Sequence, residues 1–107
     1  MQIDEIFEIH QTAKSKGFYD SWTGSPEDIL SKLALIHSEV SEVLEAYRKQ
    51  KGAKAIQEEF ADIFIRCYDL LVQLYDDDII DTYDIDQVIR QKAAINNGRR
   101  YKHGTLI

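Results

Sequence analysis

Two helical stripes in this chain each carry a pair of acids on their border, so any fold that buries the stripes must bring the acids together. Ile29, Leu33, Ile36, Val40, Val43 and Tyr47 alternate steps of four and three residues, as do Ile56, Phe60, Ile63, Cys67, Leu70 and Leu74. That spacing is one face of an α-helix. Glu39-Val40-Ser41-Glu42-Val43 lies in the first stripe and Glu59-Phe60-Ala61-Asp62-Ile63 in the second. Both read acid, apolar, small, acid, apolar. Residues i and i+3 share a helix face, which sets Glu39 beside Glu42 and Glu59 beside Asp62. Packing the helices through Val40/Val43 and Phe60/Ile63 is expected to point four carboxylates into one cleft. Like charges there repel unless a cation neutralises them. Carboxylate ligands without a neighbouring His or Cys select a hard ion, Mg²⁺ or Mn²⁺.

The rest of the chain punctuates into helices. Ile3, Ile6, Phe7, Ile9 and His10 begin a first helix that stops at Gly17. An aromatic loop with Phe18, Tyr19 and Trp22 follows, and Ser25-Pro26-Glu27-Asp28 then supplies an N-cap, a proline at N1 and first-turn acids. The second helix ends in Arg48-Lys49-Gln50-Lys51-Gly52 and the third at Asp76-Asp77-Asp78. A fourth begins near Asp84, should bury Ile85, Val88 and Ile89, and ends at Asn96-Asn97-Gly98. With one proline, five glycines and no linker-like segment, residues 1–107 read as one all-α domain. Its expected form is a four-helix bundle small enough to gain from forming a homo-oligomer.

Charge is unevenly placed. All 19 acids precede Val88, whereas five of the 13 basic residues (Arg90, Lys92, Arg99, Arg100 and Lys102) follow it. An acidic body repels bulk nucleic acid, and five scattered cations are too few for a duplex footprint. A small anion held between metal and basic tail is the better match. Asp4, Glu5 and Glu8 interrupt any export-type apolar run, and no stretch approaches the roughly 20 apolar residues of a membrane span. The expectation is a soluble, cytoplasmic protein without a membrane partner. Cys67 reads as a small core residue, and His10 and His37, whose spacing makes no metal pair, as hydrogen-bonded packing residues.

Three runs together resemble a known family. Leu35-Ile36-His37-Ser38-Glu39-Val40-Ser41-Glu42-Val43-Leu44-Glu45, then Glu59-Phe60-Ala61-Asp62-Ile63, then Asn96-Asn97-Gly98-Arg99-Arg100-Tyr101-Lys102-His103-Gly104 closely resemble the all-α, MazG-like nucleoside triphosphate pyrophosphohydrolases. Their order and spacing match as well. Ile9-His10-Gln11-Thr12-Ala13-Lys14-Ser15-Lys16-Gly17-Phe18 looks like the first helix of single-domain members, so the likeness covers nearly the whole chain. Where members often have proline after the tail arginine, this chain has Arg100.

The resemblance implies Mg²⁺-dependent, or Mn²⁺-dependent, hydrolysis of a nucleoside triphosphate between the α and β phosphates, giving the monophosphate and pyrophosphate. Glu39, Glu42, Glu59 and Asp62 would ligate metal, and one of the glutamates would orient or deprotonate the attacking water. Lys92, Asn96, Arg99 and Lys102 would clamp phosphates, while Phe18 and Trp22 would wall or stack on the base. Phe18 is also expected to pack under the bundle, and Trp22 to cover either the base or a subunit contact. The implied assembly is a tetramer built as a dimer of dimers, with a dimer as the alternative. Other readings are a phosphoribosyl-ATP pyrophosphatase or dUTPase-like relative, or a non-catalytic helical interaction module.

Overall fold

The start of the second helix is where local chemistry is plainest. In the computed structural model, which describes residues 1–99, Ser25 Oγ accepts the Asp28 amide at 3.2 Å and Pro26 occupies the first helical position. The Asp28 carboxylate turns back to accept from the Thr23 amide at 2.7 Å and the Thr23 hydroxyl at 2.8 Å. The junction is thereby closed from both sides. Four helices result: α1 (Ile3–Ser15), α2 (Pro26–Arg48), α3 (Ala53–Asp76) and α4 (Ile85–Asn97). There is no strand among the described residues.

The end of α2 differs in detail from the expected glycine stop. Lys51 N donates to Ala46 O at 3.0 Å around Gln50, which takes the left-handed conformation at φ 54°. Gly52, at φ 99°, instead opens α3 as its N-cap. Residues 49–52 therefore fold α2 and α3 into an antiparallel pair. Gly17 does end α1 as expected, at φ 85°, where a Cβ would stand only 3.0 Å from the Asp20 carboxylate.

Packing centres on α3, which α1 and α2 both contact. α1 buries Ile6, His10 and Ala13, α2 buries Ala46, and α3 buries Leu70, Val72 and Gln73. Each fully covered aliphatic side chain, such as Ile6 or Val72, contributes about 1.5–3 kcal/mol. The stripes pack with a rotation relative to expectation. Val43 and Ile63 are half-buried, but Val40 and Phe60 face outward, 52% and 48% exposed. Leu44, Tyr47 and Phe64 share that outward exposure.

The fourth helix corrects the sequence reading further. α4 packs against none of the other three, so Val88, Ile89 and Ile95 are exposed and only Ile85 is partly covered. Its start is held by an edge-on Tyr75–Tyr83 contact at 5.2 Å and by the Met1 amino group on Asp86 at 3.0 Å. One chain therefore closes three helices around a shared core and leaves the fourth apart. The chain exposes 8113 Å², where a folded monomer of this mass exposes about 6,100 Å². No helix among the described residues is long and apolar enough to cross a membrane.

Removing the cap should be measurable. Ser25→Ala is expected to cost about 1 kcal/mol in chemical denaturation. Bonds from the Thr23 amide and hydroxyl hold the Asp28 carboxyl below its ordinary 3.8. A lowered carboxyl stabilises the fold above its unfolded value and loses that contribution as pH falls through the folded one. The melting-temperature deficit of Asp28→Ala at neutral pH should thus shrink below pH 3.8; a deficit independent of pH would contradict this account of the junction.

Candidate metal centre

Because Glu39 sits on the α2 face that meets α3, and Glu59 and Asp62 lie one turn apart on α3, the helix pair sets three carboxylates together. One oxygen from each lies within 4.8 Å of the others. Glu39 and Glu59 are half-buried and Asp62 is exposed. Glu42 is exposed and outside this triad, though its charge still acts on Glu59. Partial desolvation first, and then the charges of Asp62, Glu42 and Glu39, raise the Glu59 carboxyl above its ordinary 4.5, with Lys51 opposing. The donor set is oxygen only, which fits Mg²⁺ or Mn²⁺ and fits zinc poorly. Neighbouring acids differ. Glu45 pairs with Arg48 and Lys49, each at 3.5 Å, and Glu58 approaches Lys54 at 4.0 Å, as solvated helix acids do.

Two features that the sequence reading missed complete the cleft. Arg66 Nε donates to Glu39 Oε1 at 2.8 Å across the α2–α3 contact. An open cavity of about 300 Å³ adjoins the pair, walled among others by Lys16, Phe18, Glu39, Asp62, Arg66 and Asp69. Its size lies at the lower end of small-molecule sites. The signal was in the spacing: Glu59, Asp62, Arg66 and Asp69 follow one another by three, four and three residues, on one face of α3.

The aromatic loop reaches the site by a different route than expected. Phe18 does not pack under the bundle; it is 63% exposed and forms part of the cavity rim, with Lys32 donating to its carbonyl at 3.4 Å. Trp22 is engaged elsewhere. Its Nε1 donates to Asp77 Oδ2 at 2.8 Å, and Gln73 Nε2 donates to the other Asp77 oxygen at 3.1 Å. Tyr19 stands edge-on between His10 and Trp22, at 4.9 and 5.3 Å, with the Lys32 ammonium 4.3 Å above its ring. Burial first, and then the charge of Asp69, push the Tyr19 hydroxyl far above its ordinary 10.0.

Beneath this stack, His10 is fully buried, and its Nδ1 donates to Asp69 Oδ1 at 2.7 Å. Its Nε2 lies 3.9 Å from Asp76. His10 is thus the hydrogen-bonded packing residue expected, while His37 is exposed. Cys67 is half-buried, and burial raises its thiol, as suits an inert core residue.

Two members of the expected phosphate clamp stand on α4, which does not pack against the helices that carry the acids. Lys92 and Asn96 line a shallow apolar groove on α4 with Val88, Ile89 and Ala93. Arg99 follows the end of α4, and Lys102 and Arg100 lie outside the described residues.

Charge repulsion in the triad has a direct readout. In the presence of a chelator, Glu59→Gln should raise the melting temperature, because it removes a crowded negative charge without removing packing. Millimolar Mg²⁺ is expected to raise the melting temperature of the parent protein, and the same substitution to reduce that gain. A Glu59→Gln protein less stable than the parent in chelator would show that the carboxylate serves the fold rather than a cation.

Comparison with protein-family models, with curated proteins and with solved structures gives no match to this chain.

Proposed function

We propose that this chain is a divalent-metal-dependent nucleoside triphosphate pyrophosphohydrolase of the MazG-like kind. One observation carries the reading: Glu39, Glu59 and Asp62 offer oxygens within 4.8 Å of one another, and Glu39 and Asp62 also wall a cavity large enough for a small ligand. The three-run sequence resemblance supports it independently.

Glu39, Glu59 and Asp62 would hold Mg²⁺ or Mn²⁺, with Glu42 tuning the set through its charge on Glu59. When bound, the ion offsets phosphate charge and favours attack by water. The protein's own groups do the rest. One of the glutamates orients the water and takes its proton; the water oxygen bonds to the α-phosphorus as the bond to the bridging oxygen breaks, and pyrophosphate leaves. Lys16, on the cavity wall, can face phosphate oxygens, and Phe18 at the rim offers an apolar surface to a base. Lys92 and Asn96, on α4, would reach such a site from another subunit or after α4 moves, and Arg99 and Lys102 would join them in holding phosphate. A homo-oligomer accommodates this. The outward Val40, Leu44, Tyr47, Phe60 and Phe64, together with the uncovered face of α4, favour a second copy, and a tetramer remains the preferred assembly with a dimer next.

The same apolar face favours one other reading, a non-catalytic helical interaction module. The two separate in one assay. Incubation with Mg²⁺ and a panel of ribo- and deoxyribonucleoside triphosphates should release equimolar monophosphate and pyrophosphate, and Glu59→Gln or Asp62→Asn should lower turnover about a hundredfold or more with the helical spectrum intact. Self-association without turnover on any nucleotide would favour the module.

A further inference from the structure

Arg66 poses a problem for the acidic cleft as a cation site. Glu39 is the less exposed of the two partners, its side chain 15% accessible against 42% for Arg66, and the guanidinium already neutralises it at 2.8 Å. A carboxylate in that position, crowded by Glu59 and Asp62, is costly to leave uncompensated. A divalent cation and Arg66 therefore compete for the same carboxylate. Arginine cannot withdraw by losing a proton, so a cation that takes Glu39 must move a charged guanidinium aside. The half-exposed side chain has room to make that exchange, because it borders the open cavity rather than the packed core.

We propose that Arg66 is an internal counter-ion that holds Glu39 in the metal-free protein, yields it to the entering divalent cation, and then takes a phosphate oxygen of the nucleotide in the same cavity. This rests on the pyrophosphohydrolase reading of the site. Arg66 borders the cavity together with Lys16, so the displaced guanidinium remains where a triphosphate would lie and needs no other element to carry it there. Its planar fork suits phosphate as well as carboxylate. The exchange couples the two ligands. A metal ion alone must displace Arg66 without giving it a new anion, whereas metal and nucleotide together supply one. Each therefore strengthens the other, by the same factor in both directions. The guanidinium also lowers the affinity of the empty cleft for stray cations.

The test is calorimetric and needs no turnover. Mn²⁺ titrated into the full chain without nucleotide should bind Arg66→Gln about tenfold more tightly than the parent, within the usual range of such couplings. With saturating Mn²⁺, a triphosphate carrying a non-hydrolysable α–β bridge should bind Arg66→Gln about tenfold more weakly. Arg66→Lys, which keeps the charge and loses the fork, should fall between the two for both ligands. In the unsubstituted protein, the NMR signal of the Arg66 Nε–H should shift as Mg²⁺ is added, which checks the exchange without any variant. A parent that binds Mn²⁺ while Arg66→Gln binds it no more tightly overturns the proposal and leaves the metal site standing. So does an Arg66 signal unmoved through saturation, and so does an unchanged nucleotide affinity. Absence of Mn²⁺ binding in parent and variants alike overturns the metal reading itself, and this proposal with it.

Discussion

α3 has to serve two neighbours at once. It receives α1 through Asp69, which bonds His10, and meets α2 where Glu39 faces Arg66, Glu59 and Asp62. Polar residues at the seam between its two neighbours lie at the edge of both contacts. That is where Glu59, Asp62, Arg66 and Asp69 fall. The cavity is the space left where α1 and α2 diverge over this polar row, so its walls combine carboxylates, a guanidinium, the Lys16 stem and an aromatic rim.

The polar row is electrostatically graded. At one end three carboxylates crowd together, and partial desolvation followed by the neighbouring charges raises the proton affinity of Glu59. One turn on, Arg66 offsets part of that charge through Glu39. Beyond it, Asp69 is committed to His10 and Asp77 to Trp22 and Gln73, so the aspartates of the far end serve the fold by seating the aromatic loop. Among the described residues, the first end is where three acid oxygens gather close together, which is why the metal reading rests there.

Much of this was legible from residue order. Ser25, Gly17 and Asp84 mark helix ends by backbone chemistry that a few neighbouring residues determine, and all three serve as expected. The meeting of Glu39 with Glu59 and Asp62 was legible too, because two stripes of one period can pack in few registers. What escaped depends on rotation about a helix axis. A turn of the α2–α3 contact exposes Val40 and Phe60 and brings Arg66 to Glu39, and steps of three and four residues do not fix that angle. Trp22 escaped for another reason: its partner Asp77 is 55 residues away, in an acidic run that reads simply as a helix stop. The stance of α4 was illegible because an apolar helical face does not say whether its cover comes from the same chain.

The order of closure around α3 has a kinetic side. α2 and α3 are joined by residues 49–52 and can pair as a local hairpin, whereas His10 must find Asp69 at a separation of 59 positions. Loop-closure entropy makes the second event the later one in folding and, by the same reasoning, α1 the first of the three packed helices to detach when the chain opens locally. Detachment would carry off Lys16 and Phe18 and leave Glu39, Glu59 and Asp62 paired on the hairpin. The chain can thus breathe open on the side of its cavity that would face an entering ligand while its acidic floor stays assembled.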